Sequence, residues 1–435
     1  MKKERIMALV LACLMALSML SGCSAKPAET TKAPDNKQTQ GADPTQAEPQ
    51  PQTPADSEFY GPIYDEYSEM TDEQLYELAK AEGGKINIYA TSSKMLKEEK
   101  PFEEAFPGLD VVITDLDQDE VLEKCRIESE TGNITGDVLQ AKDVNGSVFF
   151  DFYELGFCKA FYPKDICAHI DEDLLRYGYP LYASQSFWYY NTEAFPEGQP
   201  INSWWEIIEK NEDGSQKYRI LTKEIGQETA YLSLFASFIV NAEQMEKAYK
   251  DLYGKDLEYT YDASGFAFDV PEKNAGVEYL WRFSQMKMTF IGDGDELVLA
   301  VHNSTKDDPA LALASGGKIG NREESGYNIA WVTNLTPYTG LQNCEYLYVV
   351  EGCDNPAGAR LFIRFVTGGA DGKSGGLKPF SKEGNWMVRD DVASDWNPVS
   401  LQDCGAIESN LGAINDIFLD TQDMWIYWLD NNPNM

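Results

Sequence analysis

The sequence predicts an α/β protein with two lobes, in which each lobe is a mainly parallel β-sheet flanked by helices and hinge crossings join the lobes. The chain has 435 residues, enough for two domains, and 43% of them are hydrophobic, enough to fill two cores. Strand patterns alternate with helix patterns, as they do in βαβ units. The segment 179–208 passes from an aromatic strand pattern into a helix start, which indicates a crossing between two packed bodies.

The N-terminus has the pattern of a targeting segment. Three basic residues precede an apolar run at 6–20, and the run ends in Leu-Ser-Gly-Cys. An apolar run this short after a basic start indicates a signal peptide rather than a membrane span. The final tetrapeptide resembles a bacterial lipobox, which implies cleavage after residue 22 and lipid attachment at Cys23, although a buried Cys among small residues is the alternative. We therefore predict a lipoprotein signal peptide at 1–22 and an extracytoplasmic protein anchored to the bacterial cell membrane by its lipid.

The residues that follow Cys23 predict a disordered tether. The segment 23–57 is rich in Pro, Thr, Gln, Ala and Lys and has almost no large apolar side chains. Such a segment buries too little surface to offset the entropy cost of ordering. We expect it to hold the folded body near the membrane.

The acidic balance of the chain excludes several partners. The sequence has 36 Lys and Arg against 72 Asp and Glu, a net charge of −36. Removal of residues 1–22 takes away three basic residues and one acidic residue and leaves −38. This charge argues against binding to nucleic acid and against adsorption on anionic lipid. A well-solvated surface explains the acidity, and attraction of cationic solutes is the alternative.

The cysteines and histidines do not indicate a metal centre. Apart from Cys23 and one Cys in the signal segment, six cysteines remain, and disulfides are permitted outside the membrane. The sequence has no CxxC motif and only two His, which argues against a zinc cage and against a Cys–His nucleophile. We expect no cofactor and no metal site. The six remaining cysteines are Cys125, Cys158, Cys167, Cys344, Cys353 and Cys404.

The first lobe is predicted from capping and alternation patterns. A capping box joins Thr71 and Gln74 and opens a helix. The alternating residues 85–90 predict a strand, and the residues 91–93 open a helix that ends before Pro107. The same patterns predict further strands at 109–114 and 137–140 and helical segments at 121–130 and 145–155.

The second lobe begins after the crossing. Ser203 and Glu206 form another predicted capping box, and the helix after it has an aromatic apolar face. Crossings near 182–186 and 336–341 divide the chain into one lobe of residues 58–183 plus 336–390 and another of residues 184–335 plus 391–435. The remaining predicted elements are helices at 227–252, 275–286, 309–315 and after 355, and strands at 297–301, 327–332 and 344–350.

Several phrases of the sequence, in this order, resemble one known family. They are WYYNTEAF followed by INSWWEII, DELVLAVHNSTKDDPALALA, CEYLYVVEGCDNPAGARLFIRFVTGG and the ending WMVRD. With a lipobox in front, they resemble an extracellular solute-binding protein of an ABC importer, family 1. The resemblance covers about residues 70–395 and points to the group that binds ferric iron, thiamine, polyamines and phosphonates.

The resemblance implies a type II periplasmic-binding-protein fold. Loops at the carboxyl ends of parallel strands meet in a crevice between the lobes, which closes on the solute. It implies a monomer that performs no chemistry and delivers its ligand to the subunits of an ABC permease. The ligand is expected to be a small polar solute such as a polyamine, a thiamine-like cation, a phosphonate or a ferric complex.

Five candidate ligand-binding residues follow predicted strands of the first lobe. Ser92 and Ser93 follow the first strand, where donors can hold a polar ligand, and helix capping is the alternative. Asp117 follows the second strand, with a solvated loop as its alternative. Gln140 and Asp143 follow the third strand, where the family places ligand contacts.

Four further candidates come from the crossings and the second lobe. Trp188 can supply a stacking or cation–π wall, or it can be a core residue. The family's iron-binding tyrosine pair belongs near 303–304, where this chain has His302 and Asn303, so the resemblance favours a polar solute over iron. His302 can also be a structural histidine. Tyr338, in the second crossing, can close over the ligand.

The sequence leaves three functional classes open. The first is a binding lipoprotein, with a ferric-iron binder as its variant because oxygen ligands are abundant. The second is a secreted hydrolase with paired carboxylates, but no GxSxG, HExxH or P-loop motif is present. The third is a surface adhesin, which would bind no small molecule.

Overall fold

Two β-sheets organise the chain. The structure is a computed structural model that describes residues 61–433, all of which fall in the unit Thr53–Met435. The predictions of a signal peptide at 1–22, of lipid attachment at Cys23 and of a tether at 23–57 lie outside the described residues.

The first sheet has eight strands and a mixed topology. β1 pairs in parallel with β2 and β3, while β11 runs antiparallel to β3, β4 and β5. The main strand order is β12-β5-β11-β3-β1-β2, and β4 and β13 pair with β11 outside that order. The strands are β1 (Lys85–Ala90), β2 (Asp110–Asp115), β3 (Val138–Lys142), β4 (Cys158–Lys159), β5 (Tyr179–Ser184), β11 (Gly340–Val350), β12 (Trp386–Met387) and β13 (Ala406–Glu408).

The second sheet has five strands in the order β10-β6-β9-β7-β8. β7 is parallel to β8 and β9, whereas β6 runs antiparallel to β9 and β10. The strands are β6 (Ser186–Asn191), β7 (Arg219–Thr222), β8 (Met288–Phe290), β9 (Ala310–Ser315) and β10 (Ile329–Trp331).

The chain passes between the sheets where the sequence predicted. β5 ends at Ser184 in the first sheet and β6 begins at Ser186 in the second, so Gln185 alone separates them. The return passage runs from β10 through residues 332–339 to β11. The two sheets are thus connected at one place by a single residue, which holds their facing edges close together.

Helices cover both sheets. Both predicted capping boxes are confirmed, at Thr71 and at Ser203. None of the helices among residues 61–433 is long and apolar enough to span a membrane. The helices are α1 (Asp72–Ala81), α2 (Glu99–Ala105), α3 (Gln118–Thr131), α4 (Lys164–Cys167), α5 (Trp204–Ile207), α6 (Thr229–Val240), α7 (Ala242–Tyr253), α8 (Ala275–Ser284), α9 (Gly294–His302), α10 (Asn321–Glu324), α11 (Pro356–Val366) and α12 (Leu411–Asp430).

Two predicted elements are wrong. The run 297–301, predicted as a strand, lies in α9, and Asp293 caps the first turn of this helix. The β-branched residues of the run, Val298 and Val301, lie on the buried face of the helix. The run 309–315, predicted as a helix, is strand β9. β9 lies between β6 and β7, and its Ala and Leu side chains are buried on both faces. Tertiary burial therefore outweighs the helix propensity of alanine at this position.

Two other predicted helices are shorter than expected. The run 227–252 is two helices, α6 and α7, separated at Asn241. The run 145–155 contains only a π-helical segment, Phe149–Tyr153. The break at Asn241 has no Gly or Pro signal, whereas the second run contains Gly146, whose φ of +83° does not fit a helix.

Candidate functional site

One face of the first sheet gathers polar side chains at the edge where the chain crosses. The strands β1, β3 and β5 run in the same direction and end at this edge, and β11 begins there. Carboxyl ends of parallel strands at a change of strand direction are a common ligand position in α/β proteins. The register pairs Glu345 with Lys142 and Tyr182, and Asn343 with Ser184, so these side chains share one face.

Three lysines meet at this edge, and we call Lys94, Lys142 and Lys382 the lysine site. Lys142 Nζ lies 3.4 Å from Ser184 Oγ. Lys94 Nζ lies 5.2 Å from the centre of the Tyr182 ring. Within residues 61–433, none of the three lysines forms an ion pair with a carboxylate.

The carboxylate nearest to the lysine site is already engaged. Gln140 Nε2 donates to Glu345 Oε2 at 2.6 Å. The same amide accepts a hydrogen bond from the backbone N–H of Thr91 through its Oε1, at 3.1 Å. Burial and Glu345 raise the pKa of Tyr182 well above its usual value, which keeps that phenol neutral. Glu345 thus moderates the positive charge of the lysine site without pairing with any of its lysines.

The lysine site is electrostatically unsatisfied. Burial, which is the largest cause, and the charges of Lys382, Lys142 and Lys97 together lower the pKa of Lys94 to about 8, against the opposing effect of Glu345. The cost of desolvating an ammonium group is normally offset by an opposite charge. At this edge the chain places further positive charges around Lys94 instead.

The segment that carries Lys382 packs against a glycine turn of the second sheet. A Cβ on Gly384, which has φ +90°, would lie 2.4 Å from the carbonyl carbon of Gly316. Only glycine permits this approach of two backbones. Arg322 Nη2 also forms an ion pair with Glu383 Oε2 at 2.8 Å. The segment that carries Lys382 is therefore docked on the turn after β9.

Two buried amides at the crossing lack partners. Gln185 is 1% exposed and Asn343 is 4% exposed. Both polar atoms of the Gln185 side chain and Oδ1 of Asn343 have no hydrogen-bond partner in the described part of the chain. Gln185 Oε1 occupies the space next to Gly340, where a Cβ would lie 2.7 Å away. Buried polar atoms are almost always paired, so these amides are available to a ligand.

Four of the residues predicted from the sequence lie at or next to this edge. Gln140 is part of it through the bonds described above. Ser92 and Ser93 lie in the turn after β1, immediately before Lys94. Asp117 is exposed at the start of α3, and the next residue, Gln118, accepts a hydrogen bond from the backbone N–H of Lys142 at 3.2 Å.

Asp143 lies on the opposite face of the first sheet. It is buried, and its carboxylate accepts hydrogen bonds from the backbone N–H groups of Gly146 and Phe149, at 2.8 and 2.9 Å. Burial raises its pKa to about 6 against these hydrogen bonds. Asp143 also lines a cavity of about 390 Å³ together with Tyr346 and Glu408. It is held as part of the local backbone structure and does not join the lysine site.

Two other predicted residues are core residues. Trp188 is fully buried, and its ring packs edge-on against Trp204 at 5.8 Å. Tyr338 is 2% exposed and shares a hydrogen bond of 2.9 Å with Ser237. The core alternative for Trp188 is the one seen in the structure, and Tyr338 is enclosed within the same core.

His302 and Asn303 lie at the far end of the second sheet. They end α9, and the Asn191 amide at the end of β6 donates to the His302 carbonyl at 2.7 Å. The six residues of β6 separate this end from the crossing at Ser186 by about 16 Å. The His302 ring stacks on Tyr327 at 4.9 Å, and its Nδ1 accepts from the Asn328 N–H at 3.0 Å. The structure therefore does not bring these residues to the lysine site.

Sequence reasoning missed the three lysines, Glu345 and the two unpaired amides. The lysines are distant in sequence, and an isolated Lys in an acidic chain is typical of a solvated surface. The signal that could have found Gln185 is its position as the linking residue of the crossing. Asn343 and Glu345 could have been found from their alternation with the apolar residues of β11.

Comparison with known proteins identifies the class. A family model described as bacterial extracellular solute-binding protein matches residues 99–376. None of the curated protein sequences matches the chain significantly.

Solved structures with the same fold cover most of the chain. Iron-bound HitA from Pseudomonas aeruginosa has a TM-score of 0.56 and 14% identity, and the match covers 78% of this chain and 99% of that one. The apo ferric ion-binding protein A of Pasteurella haemolytica has a TM-score of 0.57 and 14% identity, with coverage of 79% and 98%. AfuA from Actinobacillus pleuropneumoniae, with fructose-6-phosphate bound, has a TM-score of 0.54 and 12% identity, with coverage of 80% and 99%. The predicted two-lobed type II periplasmic-binding-protein fold is confirmed.

Proposed function

The chain belongs to the family of bacterial extracellular solute-binding proteins, and on this premise we propose that it captures a small polar solute at the lysine site and delivers it to an ABC permease. The observation that carries the proposal is the meeting of unpaired polar groups where Gln185 joins the two sheets. Closure of two lobes around a solute at such a place is driven by differential binding energy.

The proposal includes a lipid anchor and no catalysis. Attachment at Cys23 would keep the folded body close to its permease through the tether at 23–57, which raises the effective concentration of loaded protein at the membrane. The lobe boundaries predicted from the sequence are part of the same proposal. The facing groups at the lysine site include the Lys142 ammonium, the Ser184 hydroxyl, and the Gln140 amide that is bonded to Glu345.

A ferric complex is the second candidate ligand. Two of the similar solved structures hold iron: HitA is iron-bound, and the Trichodesmium protein IdiA is in complex with iron and citrate ligands. A bare ferric ion prefers oxygen anions, and three ammonium groups repel it. A ferric ion already carried by an anion such as citrate fits the lysine site better than the bare ion.

A binding experiment tests the proposal. The purified chain is screened by thermal shift against metals, polyamines, vitamins, sugars, carboxylates and phosphonates, and each positive result is checked by calorimetry. A ligand at 100 times its dissociation constant stabilises the folded state by about 2.7 kcal/mol, which is a clear shift in melting temperature. Turnover of a substrate in a broad hydrolase screen, or no shift with any compound, contradicts the proposal.

A further inference from the structure

The lysine site concentrates positive charge in a chain that has little of it. Acidic residues outnumber basic ones by two to one over the whole sequence. Lys94, Lys142 and Lys382 nevertheless come together from three separate segments and form no ion pair within residues 61–433. The charges of Lys142 and Lys382 disfavour the charged form of Lys94, and Glu345 only partly opposes this repulsion. A bound anion would relieve it.

The scaffold holds the three lysines in place. Lys142 is in β3 and reaches Ser184 of β5. Lys94 lies over the Tyr182 ring, which is covered on another side by Phe380 at 5.7 Å. Lys382 is exposed, and its segment is held by the close contact of Gly384 with Gly316. Lys94 and Lys142 are half-buried and are positioned by packed elements, so these two lysines are a built feature of the fold and Lys382 adds its charge from the surface.

The unpaired amides provide a second and independent observation. Asn343 is paired in register with Ser184, and Ser184 contacts Lys142, so the Asn343 side chain lies on the face of the lysine site. Its Oδ1 has no partner, although the residue is 4% exposed. Gln185, which follows Ser184 directly, is also unpaired, but its Oε1 lies next to Gly340, which alternation in β11 places on the face opposite to Asn343. A ligand hydroxyl group that donates to Asn343 Oδ1 would satisfy that atom.

From these observations we infer that the solute is a small hydroxylated organic anion whose phosphoryl, phosphonate or carboxylate group lies among Lys94, Lys142 and Lys382 and whose hydroxyl groups bind Asn343. The inference rests on the proposed function and narrows its ligand class. Polyamines and thiamine-like cations are excluded, because they would bring more positive charge to the lysine site.

Calorimetry with probes of each charge class tests the inference. The anions are methylphosphonate, citrate and glycerol 3-phosphate, the cations are spermidine and thiamine, and glucose is neutral. We expect binding of at least one anion and of neither cation. The Lys94→Met and Lys142→Met variants are each expected to bind the anion about 10- to 100-fold more weakly, which is typical of the loss of a charged hydrogen bond.

Two further variants make the test specific. Lys373→Met removes a charge of the same type at an exposed position and is expected to leave the affinity unchanged. Asn343→Leu is expected to weaken glycerol 3-phosphate about 2- to 10-fold and to leave methylphosphonate unchanged, because only the former has hydroxyl groups. Melting temperatures without ligand identify any variant whose loss of binding comes from unfolding.

The outcomes separate the two proposals. If spermidine, thiamine or glucose binds, and binds Lys94→Met equally well, the anion inference is overturned while solute capture stands. If an anion binds but all lysine variants, including Lys373→Met, weaken it equally, the lysine site is not where it binds and the inference fails. If no compound of any class binds the folded chain, both proposals fail.

Discussion

Two groups of basic side chains in this protein differ in their partners. On α11, Arg360 and Arg364 are 2% and 1% exposed. Arg360 donates to Asp65, and Arg364 makes a bidentate pair with Asp165, at 2.7 and 2.8 Å, and a further bond to Asp72. The lysine site has no such partners. The chain supplies carboxylate partners to the two buried arginines. The three lysines have no ion-pair partner among residues 61–433, which indicates that a bound solute supplies the anion.

The difference is one of energy as well as geometry. A buried ion pair gains little net stability, but removal of one partner is costly because the remaining charge is left uncompensated. The arginines of α11 therefore should not be replaced without loss. The lysines form no ion pair and have only the neighbouring charge of Glu345 to moderate them, so their removal should cost the folded protein little or even stabilise it.

The largest expected effect is on the arginine side. Arg364→Met should lower the free energy of unfolding by about 3 kcal/mol, the lower end of the range for a broken buried pair, because Asp165 and Asp72 remain partly exposed. Urea denaturation measures it. The conservative Arg364→Lys variant should recover only part of the loss, since an ammonium group cannot make the bidentate contact. If Arg364→Met is as stable as the parent chain, the ion pairs of Arg364 do not stabilise the fold, and this part of the comparison is wrong.

The next effect is on the support of the lysine site. Gly384→Ala should lower the free energy of unfolding by about 2 kcal/mol, because a side chain is strained at φ +90° and would meet the backbone of Gly316. It should also weaken anion binding by moving Lys382. Gly198→Ala, at φ +120° with open space around it, is the matched control for strain alone. If the two variants bind the anion equally well, the docking of this segment does not position Lys382.

A smaller effect of opposite sign is expected at Lys94. Lys94→Met should raise the free energy of unfolding by about 1 kcal/mol at pH 7, because the folded pKa of about 8 lies below the ordinary 10.5. The charged form is penalised in full below about pH 8, and the penalty is relieved as pH rises to 10.5. The stability difference between the variant and the parent chain should therefore shrink across that window. Urea denaturation at pH 7, 9 and 10.5 measures it, and a difference that stays constant with pH contradicts the assignment.

The same pKa gives the pH dependence of anion binding. A bound anion favours the charged form of Lys94, so the affinity should fall as pH rises through about 8. In Lys94→Met this fall should be absent. This result would distinguish Lys94 from the other two lysines as the group that makes binding depend on pH.

The sequence predicted the fold better than the site, for physical reasons that particular residues illustrate. The crossing between the sheets could be predicted because the aromatic strand and the Ser203 capping box are local sequence patterns. Gln140 was predicted because it stands at the end of a predicted strand, and in the structure it lies within β3. Lys94, Lys142 and Lys382 are separated by 48 and 240 positions in the printed sequence, and only the strand order brings them together. No local pattern carries that information.

The smallest expected effect concerns His302, which was predicted as a ligand contact because the family's tyrosine pair belongs near this position. Its ring stacks on Tyr327 and accepts one backbone hydrogen bond, at the end of the second sheet away from the crossing. His302→Gln should therefore lower the free energy of unfolding by no more than about 1 kcal/mol, since one hydrogen bond and one ring contact are at stake. Anion affinity should not change, in contrast to Lys94→Met, and calorimetry on the two variants compares them directly. A loss of affinity in His302→Gln as large as that in Lys94→Met would mean that the ligand lies along the second sheet, and that the unpaired lysines have some other cause.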